Sequence, residues 1–184
     1  MSAVLAPLRV VVIGPECTGK TWLAQEMAGH YSAPWSPEYA RAFVEANPRP
    51  VVSEDVEAIG RGQLAGEDEA LARARAMGAR LVVHDTDLVS TAVYSRHYYG
   101  GCPAWIEKLA RERRADLYLL HHTDVAWVPD GHQREEPRRR EELMARFRAT
   151  LAALGACVAE IFGTSEERRR RAIEAAETRL AARS

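Results

Sequence analysis

Eight consecutive residues, Gly14-Pro15-Glu16-Cys17-Thr18-Gly19-Lys20-Thr21, have the spacing G-x-x-x-x-G-K-T. Glycines at both ends let the main chain curl so that successive N–H groups face an anion, and a helix beginning at Lys20 adds the positive end of its dipole. In this pattern the lysine reaches the β- and γ-phosphates of a nucleotide and the threonine hydroxyl holds Mg²⁺. The residues Gly14 to Thr21 are therefore the candidate ATP-binding loop, with Lys20 as a catalytic cation and Thr21 as a metal ligand. The flanks fit, because Leu8 to Ile13 is a β-branched run that reads as a strand buried on both faces.

Three further groups have chemistry to offer. Asp85-Thr86-Asp87 follows the apolar run Arg80 to His84. A carboxylate at the end of such a strand faces Mg²⁺ directly or through water, which makes Asp85 a catalytic and metal-linked candidate. Asp87 either reaches a substrate hydroxyl or caps the following helix. Glu38 either orients and deprotonates an acceptor hydroxyl or is a helix-start acid favoured by the dipole. The segment Thr123 to Arg140 carries Trp127, Asp130, Arg134 and the run Arg138 to Arg140. A lid there, at about 123–140, delivers a cation over the transferring phosphoryl group and excludes water. Arg134 and Arg138 are its candidates, and the other charges read as a solvated helix start. Trp35, Tyr39, Tyr94, Tyr98 and Trp127 are the rings on which a flat heterocycle could stack. The histidines have no HExxH pattern, so His84 and His121-His122 read as structural. Arg168 to Arg171 read as solvating the terminal helix.

The elements that must position these residues alternate. Helices are expected from Lys20 to about His30 and over Glu38 to Glu45. Ser32 to Pro37 has room for a short second strand, without a clear pattern to fix it. Another helix should run from Ser53 to about Met77, with a bend or break at Gly60, Gly62 and Gly66. A helix at Leu88 to Tyr98 and one from Pro103 to Arg113 precede a strand at Leu117 to His121. A helix at Arg138 to Leu154, a strand at Ala156 to Phe162 and a terminal helix capped by Thr164 with Glu167 complete the chain. Short apolar strands alternating with helices predict an α/β fold with a parallel sheet between helical layers.

Composition narrows the function classes. The chain has 184 residues, 47% of them hydrophobic and 28% charged, which suits one globular domain. A formal charge of −1 gives no general attraction to nucleic acid. No apolar run approaches bilayer length and no secretory signal is expected at the N-terminus. Cys17, Cys102 and Cys157 lack metal-like spacing, so a reducing cytoplasm is expected. The partner implied is a small nucleoside-like molecule, not a nucleic acid or a membrane. No sequence feature sets an oligomeric state.

Taken together, GPECTGKT at Gly14, PEYARAFV at Pro37, HDTDLVSTAVY at His84 and AWVPDGHQR at Ala126 resemble the ribosylnicotinamide kinase domain of the bacterial NadR type. The resemblance covers most of the chain. It implies a P-loop kinase fold of three layers, with a five-stranded parallel sheet and a mobile lid. It also implies ATP and Mg²⁺ as cofactors and γ-phosphoryl transfer to the ribose 5′-hydroxyl of nicotinamide riboside. Lys20, Thr21, Asp85 and a lid arginine fall on matching positions, and Glu38 and Asp87 become candidate acceptor contacts. Where the family has an aromatic just before Glu38-Tyr39 this chain has Pro37, with Trp35 two residues earlier as the candidate stacking surface. The family's adenylyltransferase domain does not fit into this length, so a separate enzyme is expected for the next step. A kinase of another nucleoside or nucleotide, and a P-loop ATPase acting as a regulatory switch, remain as alternatives. The absence of an NKxD-type motif favours ATP over GTP.

Overall fold

The computed structural model describes residues 6–124 and 137–183. Five strands form one all-parallel sheet: β1 (Leu8–Ile13), β2 (Trp35–Ser36), β3 (Leu81–Asp85), β4 (Leu117–His121) and β5 (Val158–Ile161). Their order across the sheet is β2-β3-β1-β4-β5. The helices are α1 (Lys20–Tyr31), α2 (Tyr39–Ala46), α3 (Val56–Met77), α4 (Leu88–Tyr99), α5 (Ala104–Glu112), α6 (Pro137–Ala153) and α7 (Ser165–Ala181).

Alternation along the strands assigns the layers. Leu8, Val10 and Val12 of β1 pack with Leu81, Val83, Leu117 and Leu119 against Leu23, Ala24 and Met27 of α1 and Ala172 and Ala176 of α7. Val11 and Ile13 point the other way, joining Tyr118 and Leu120 against α4, α5 and α6. On that same side Val82 meets Ala70 and Ala74 of α3. A sheet covered on both faces buries each central strand, which explains why these strands read as nearly continuous apolar runs. With β1 flanked by β3 and β4, the loops leaving all three strands open at one edge, the edge where open parallel sheets bind ligands.

The expected break in α3 does not occur. The helix runs unbroken over 22 residues, and two of its glycines serve close packing instead. A Cβ on Gly60 would sit 2.7 Å from Ile106 Cδ1, and one on Gly62 would overlap the Tyr39 ring. Each glycine costs the helix about 1 kcal/mol of propensity, and the packing of α5 and α2 against it offsets that cost. The second strand is confirmed as two residues. The Thr164–Glu167 capping box forms, with Glu167 N–H donating to Thr164 Oγ1 and Thr164 N–H donating to Glu167 Oε2.

Candidate active site

The loop between β1 and α1 closes tightly on β4. Gly14 has φ +137°, and a Cβ there would lie 2.8 Å from the carbonyl oxygen of His121, so only glycine fits. At the other end Gly19 caps α1 with no side chain covering the helix start. Lys20 is buried, 5% exposed, and its Nζ donates to the Pro15 carbonyl at 2.8 Å. Thr18 Oγ1 donates to the same carbonyl at 2.9 Å. The lysine is thus folded across the hollow of the loop, where an anion would take over its donor.

Thr21 and Asp85 meet across the mouth of the sheet. Thr21 Oγ1 donates to Asp85 Oδ2 at 2.5 Å, and Asp85 Oδ1 is buried with no hydrogen-bond partner. Burial and the nearby Glu38 raise the Asp85 pKa, against the opposing pull of Lys20 and Thr21. A buried carboxylate oxygen lacking a partner, beside a hydroxyl, is a fit donor set for a hard cation such as Mg²⁺. Among the described residues no group of three or more His, Cys, Asp or Glu side chains is placed to hold a metal. A single carboxylate and a hydroxyl match the way Mg²⁺ is held when nucleotide phosphates complete its shell.

Glu38 precedes α2 at the N-cap position, but its side chain makes no cap hydrogen bond. Its carboxylate instead accepts from Arg41 Nε at 3.2 Å. It stays near enough to Asp85 to raise that group's pKa. Asp87 takes the capping alternative. Its Oδ1 accepts from the N–H groups of Val89 at 2.9 Å and Ser90 at 3.2 Å, and its Oδ2 accepts from the Tyr118 hydroxyl at 2.9 Å. It is buried, 3% exposed, with both carboxylate oxygens engaged by the helix start and Tyr118.

The aromatic candidates divide. Trp35 packs partly buried against the α1 side of the sheet. Tyr39 is 37% exposed, lying over Gly62. Tyr94 donates to the Gly14 carbonyl at 3.3 Å and Tyr98 to Glu16 Oε1 at 3.4 Å, and their rings stack 6.1 Å apart beside the loop. Trp127 and Arg134 lie outside the described residues, as does most of the expected lid. Arg138 is in the first turn of α6.

Three residues escaped the sequence reading. Gln63 of α3 is buried; its Oε1 accepts from the Tyr39 N–H at 3.0 Å and its Nε2 donates to the Thr86 carbonyl at 3.1 Å. It joins the backbone next to Glu38 to the backbone next to Asp85. The glycines around it, at 60, 62 and 66, were the available signal of close approach. Arg140 is buried and not solvated, on the α6 face that also carries Leu143 and Phe147. Arg168 is likewise buried, 3% exposed, contrary to the solvated reading, because it shares an inward stripe with Ala172 and Ala176. Arg169 and Arg170 of that run do face outward, pairing with Glu26 and Glu174, while Arg171 is half-buried over the Phe162 ring. His84 and His121 are fully buried, as the structural reading expected.

Residues 9–169 match the family described as AAA domain. Two curated proteins named trifunctional NAD biosynthesis/regulator protein NadR are similar to the chain. They come from Salmonella typhimurium (strain LT2) and Escherichia coli (strain K12). Each is 27% identical over 126 residues, which is 66% of this chain and 30% of the relative. A crystal structure of NadR in complex with NR superposes with a TM-score of 0.78 at 26% identity, covering 97% of this chain and 53% of that one. One of NadR with NAD and AMP-PNP gives 0.74 at 25% identity, covering 96% and 50%. Thymidylate kinase from Ehrlichia chaffeensis shares the fold, with a TM-score of 0.64 at 12% identity over 95% of this chain and 99% of its own. The chain thus spans less than a third of the curated relatives and about half of the similar NadR structures.

Proposed function

We propose that this chain, which belongs to the AAA domain family, is an ATP-dependent kinase that phosphorylates nicotinamide riboside to nicotinamide mononucleotide. The observation that carries the reading is the convergence of Lys20, the Thr21–Asp85 pair and Glu38 at one edge of the sheet. The choice of acceptor draws on the likeness to NadR, whose structures hold NR in one case and AMP-PNP in another.

The roles follow from position. The loop from Gly14 to Thr21 binds the polyphosphate through its main-chain N–H groups, and Lys20 turns from the Pro15 carbonyl to the phosphate oxygens. Thr21 and Asp85 would hold Mg²⁺, which when bound neutralises charge on the phosphates. Glu38 accepts the proton of the ribose 5′-hydroxyl as that oxygen bonds to the γ-phosphorus; the bond from that phosphorus to the β-bridging oxygen breaks and ADP leaves. Arg41 limits where the Glu38 carboxylate can swing. Tyr39 offers the acceptor an exposed ring edge next to Glu38. Arg134 and Arg138 are the cations proposed to meet the transferring group, and the buried Arg140 joins them as a third. The protein is read as acting on small molecules in the cytoplasm. Among the described residues no helix is long and apolar enough to cross a membrane.

A coupled ADP-release assay across nicotinamide riboside, other nucleosides, nucleotides and buffer alone tests this. Release that depends on nicotinamide riboside supports the reading. Equal, slow release with or without any acceptor would replace it with the regulatory ATPase.

A further inference from the structure

A guanidinium with 3% exposure needs an acceptor for each nitrogen it withdraws from water. Arg168 finds them on three separate segments. Its Nε donates to the Gly163 carbonyl at 2.8 Å, its Nη2 pairs with Asp124, and its Nη1 donates to the Thr18 carbonyl at 3.3 Å. The same Thr18 carbonyl lies 2.9 Å from His121 Nδ1. A carbonyl can only accept, so that nitrogen carries the ring proton and donates it. The 3.2 Å approach of Arg168 Nη1 to Nδ1 is then a contact and not a hydrogen bond. Burial and the charges of Arg168 and Lys20 hold the His121 pKa down near 3, so the ring stays neutral.

Two donors therefore grip one carbonyl at the crest of the phosphate loop. In a trans peptide the C=O and the following N–H point in opposite directions, and the described residues contain no cis peptide bond. Drawing the Thr18 carbonyl back toward β4 and α7 turns the Gly19 N–H forward into the hollow that Lys20 crosses. The crest needs such a restraint, because Cys17 beside it adopts φ 53°, which a side chain disfavours.

We infer that Arg168 is a positioning residue of the phosphate cradle: acting through the Thr18 carbonyl, it aims the Gly19 N–H at a phosphate oxygen. Through Asp124 and Gly163 it ties the cradle to the end of β4 and to the β5–α7 loop. The inference rests on the nucleotide-binding part of the proposed function and not on the identity of the acceptor.

Calorimetry with Mg²⁺ and AMP-PNP, steady-state kinetics and amide NMR on the full chain decide it. Arg168→Met is expected to raise the AMP-PNP Kd and the KM for ATP about tenfold or more, with the KM for nicotinamide riboside changed less than about twofold. Arg168→Lys, which keeps a charge beside Asp124 and so keeps the fold, should lose less in the same direction. In the unaltered protein the Gly19 amide proton should move downfield on adding AMP-PNP, and in the variants it should move less. A folded variant with unchanged AMP-PNP affinity overturns the inference. So does equal loss toward both substrates, or a Gly19 amide in the unaltered protein that ignores the nucleotide. If the unaltered chain binds AMP-PNP but phosphorylates no nicotinamide riboside, the acceptor reading falls and this test still stands. If it phosphorylates the riboside while both variants bind as before, this inference falls alone.

Discussion

The proposed nucleotide side of the site is one octapeptide braced from behind, whereas the proposed acceptor side is assembled from segments far apart in the chain. Residues Gly14 to Thr21 form the cradle by local geometry, and β4 and α7 hold it through His121 and Arg168. Glu38, Asp85 and Tyr39 come together because β2 pairs with β3 and because Gln63 links the segments that follow those two strands. A local motif depends on its surroundings only where they hold its backbone, as Arg168 does at the Thr18 carbonyl. An assembly of segments depends on each link, so distant substitutions should separate acceptor affinity from nucleotide affinity.

The largest effect expected is on the cradle itself. Lys20→Ala removes the ammonium folded across the loop and should lower kcat by on the order of 10²–10³, as loss of a preorganised charge donor does elsewhere. Near-normal kcat in a folded variant would remove Lys20 from the chemistry. Asp85→Asn comes next, since Asp85 joins the two sides by touching Thr21 and facing Glu38. Its activity should drop on the order of 10–100-fold, and the Mg²⁺ concentration for half-maximal rate should rise. A loss of rate with the Mg²⁺ requirement unmoved would assign Asp85 a structural part only.

Gln63→Leu sharpens the contrast further. It leaves the Tyr39 N–H and the Thr86 carbonyl without their buried partner, and each unsatisfied group costs about 1–3 kcal/mol. We expect kcat/KM for the riboside to fall about tenfold while the KM for ATP holds. If both constants move together, Gln63 supports the fold as a whole and the two sides are not separable there.

The same contrast explains what the sequence made legible. The cradle, its strand and its helix could be read because eight adjacent residues specify them. The sheet could be read from the alternation of apolar runs with helical periods. Gln63 and Arg168 could not, since each is a polar side chain among ordinary helix residues whose partners at the site lie more than twenty positions away. Asp87 was ambiguous for a different reason: one carboxylate next to a helix start suits a cap and a ligand contact equally, and the cap bonds to Val89 and Ser90 show only in the structure. The glycines of α3 misled because their helix penalty is local, whereas the packing of Tyr39 and Ile106 that offsets it is not.

The smallest effect expected tests what lies beneath the acceptor side. Glu67, one turn below Gln63 on α3, is buried with its Oε1 unpartnered. Burial and the neighbouring Asp87 raise its pKa to about 8, against the pull of Arg9, whose Nη2 is 3.6 Å away, of Arg113 and of Gln63. The folded protein therefore keeps this proton up to about pH 8, whereas the unfolded chain releases it near the ordinary value of 4.5. Between those limits the folded state binds more protons, so stability is greatest at the acid end of the window and is lost as pH rises through about 8. Below the window both states are protonated and the contribution is constant. Glu67→Gln keeps the shape and removes this carboxyl's share of the titration, leaving Asp87, whose pKa burial also raises. Each pH unit that separates the folded from the unfolded pKa is worth about 1.4 kcal/mol, which for a chain of this size is roughly 3–5 °C in Tm. The parent's Tm should fall by at least that much more than the variant's when the pH is taken from the acid end of the window to its alkaline end. Thermal melts that stay parallel would show Glu67 ionised throughout, and the acceptor side would then rest on a buried ion pair with Arg9.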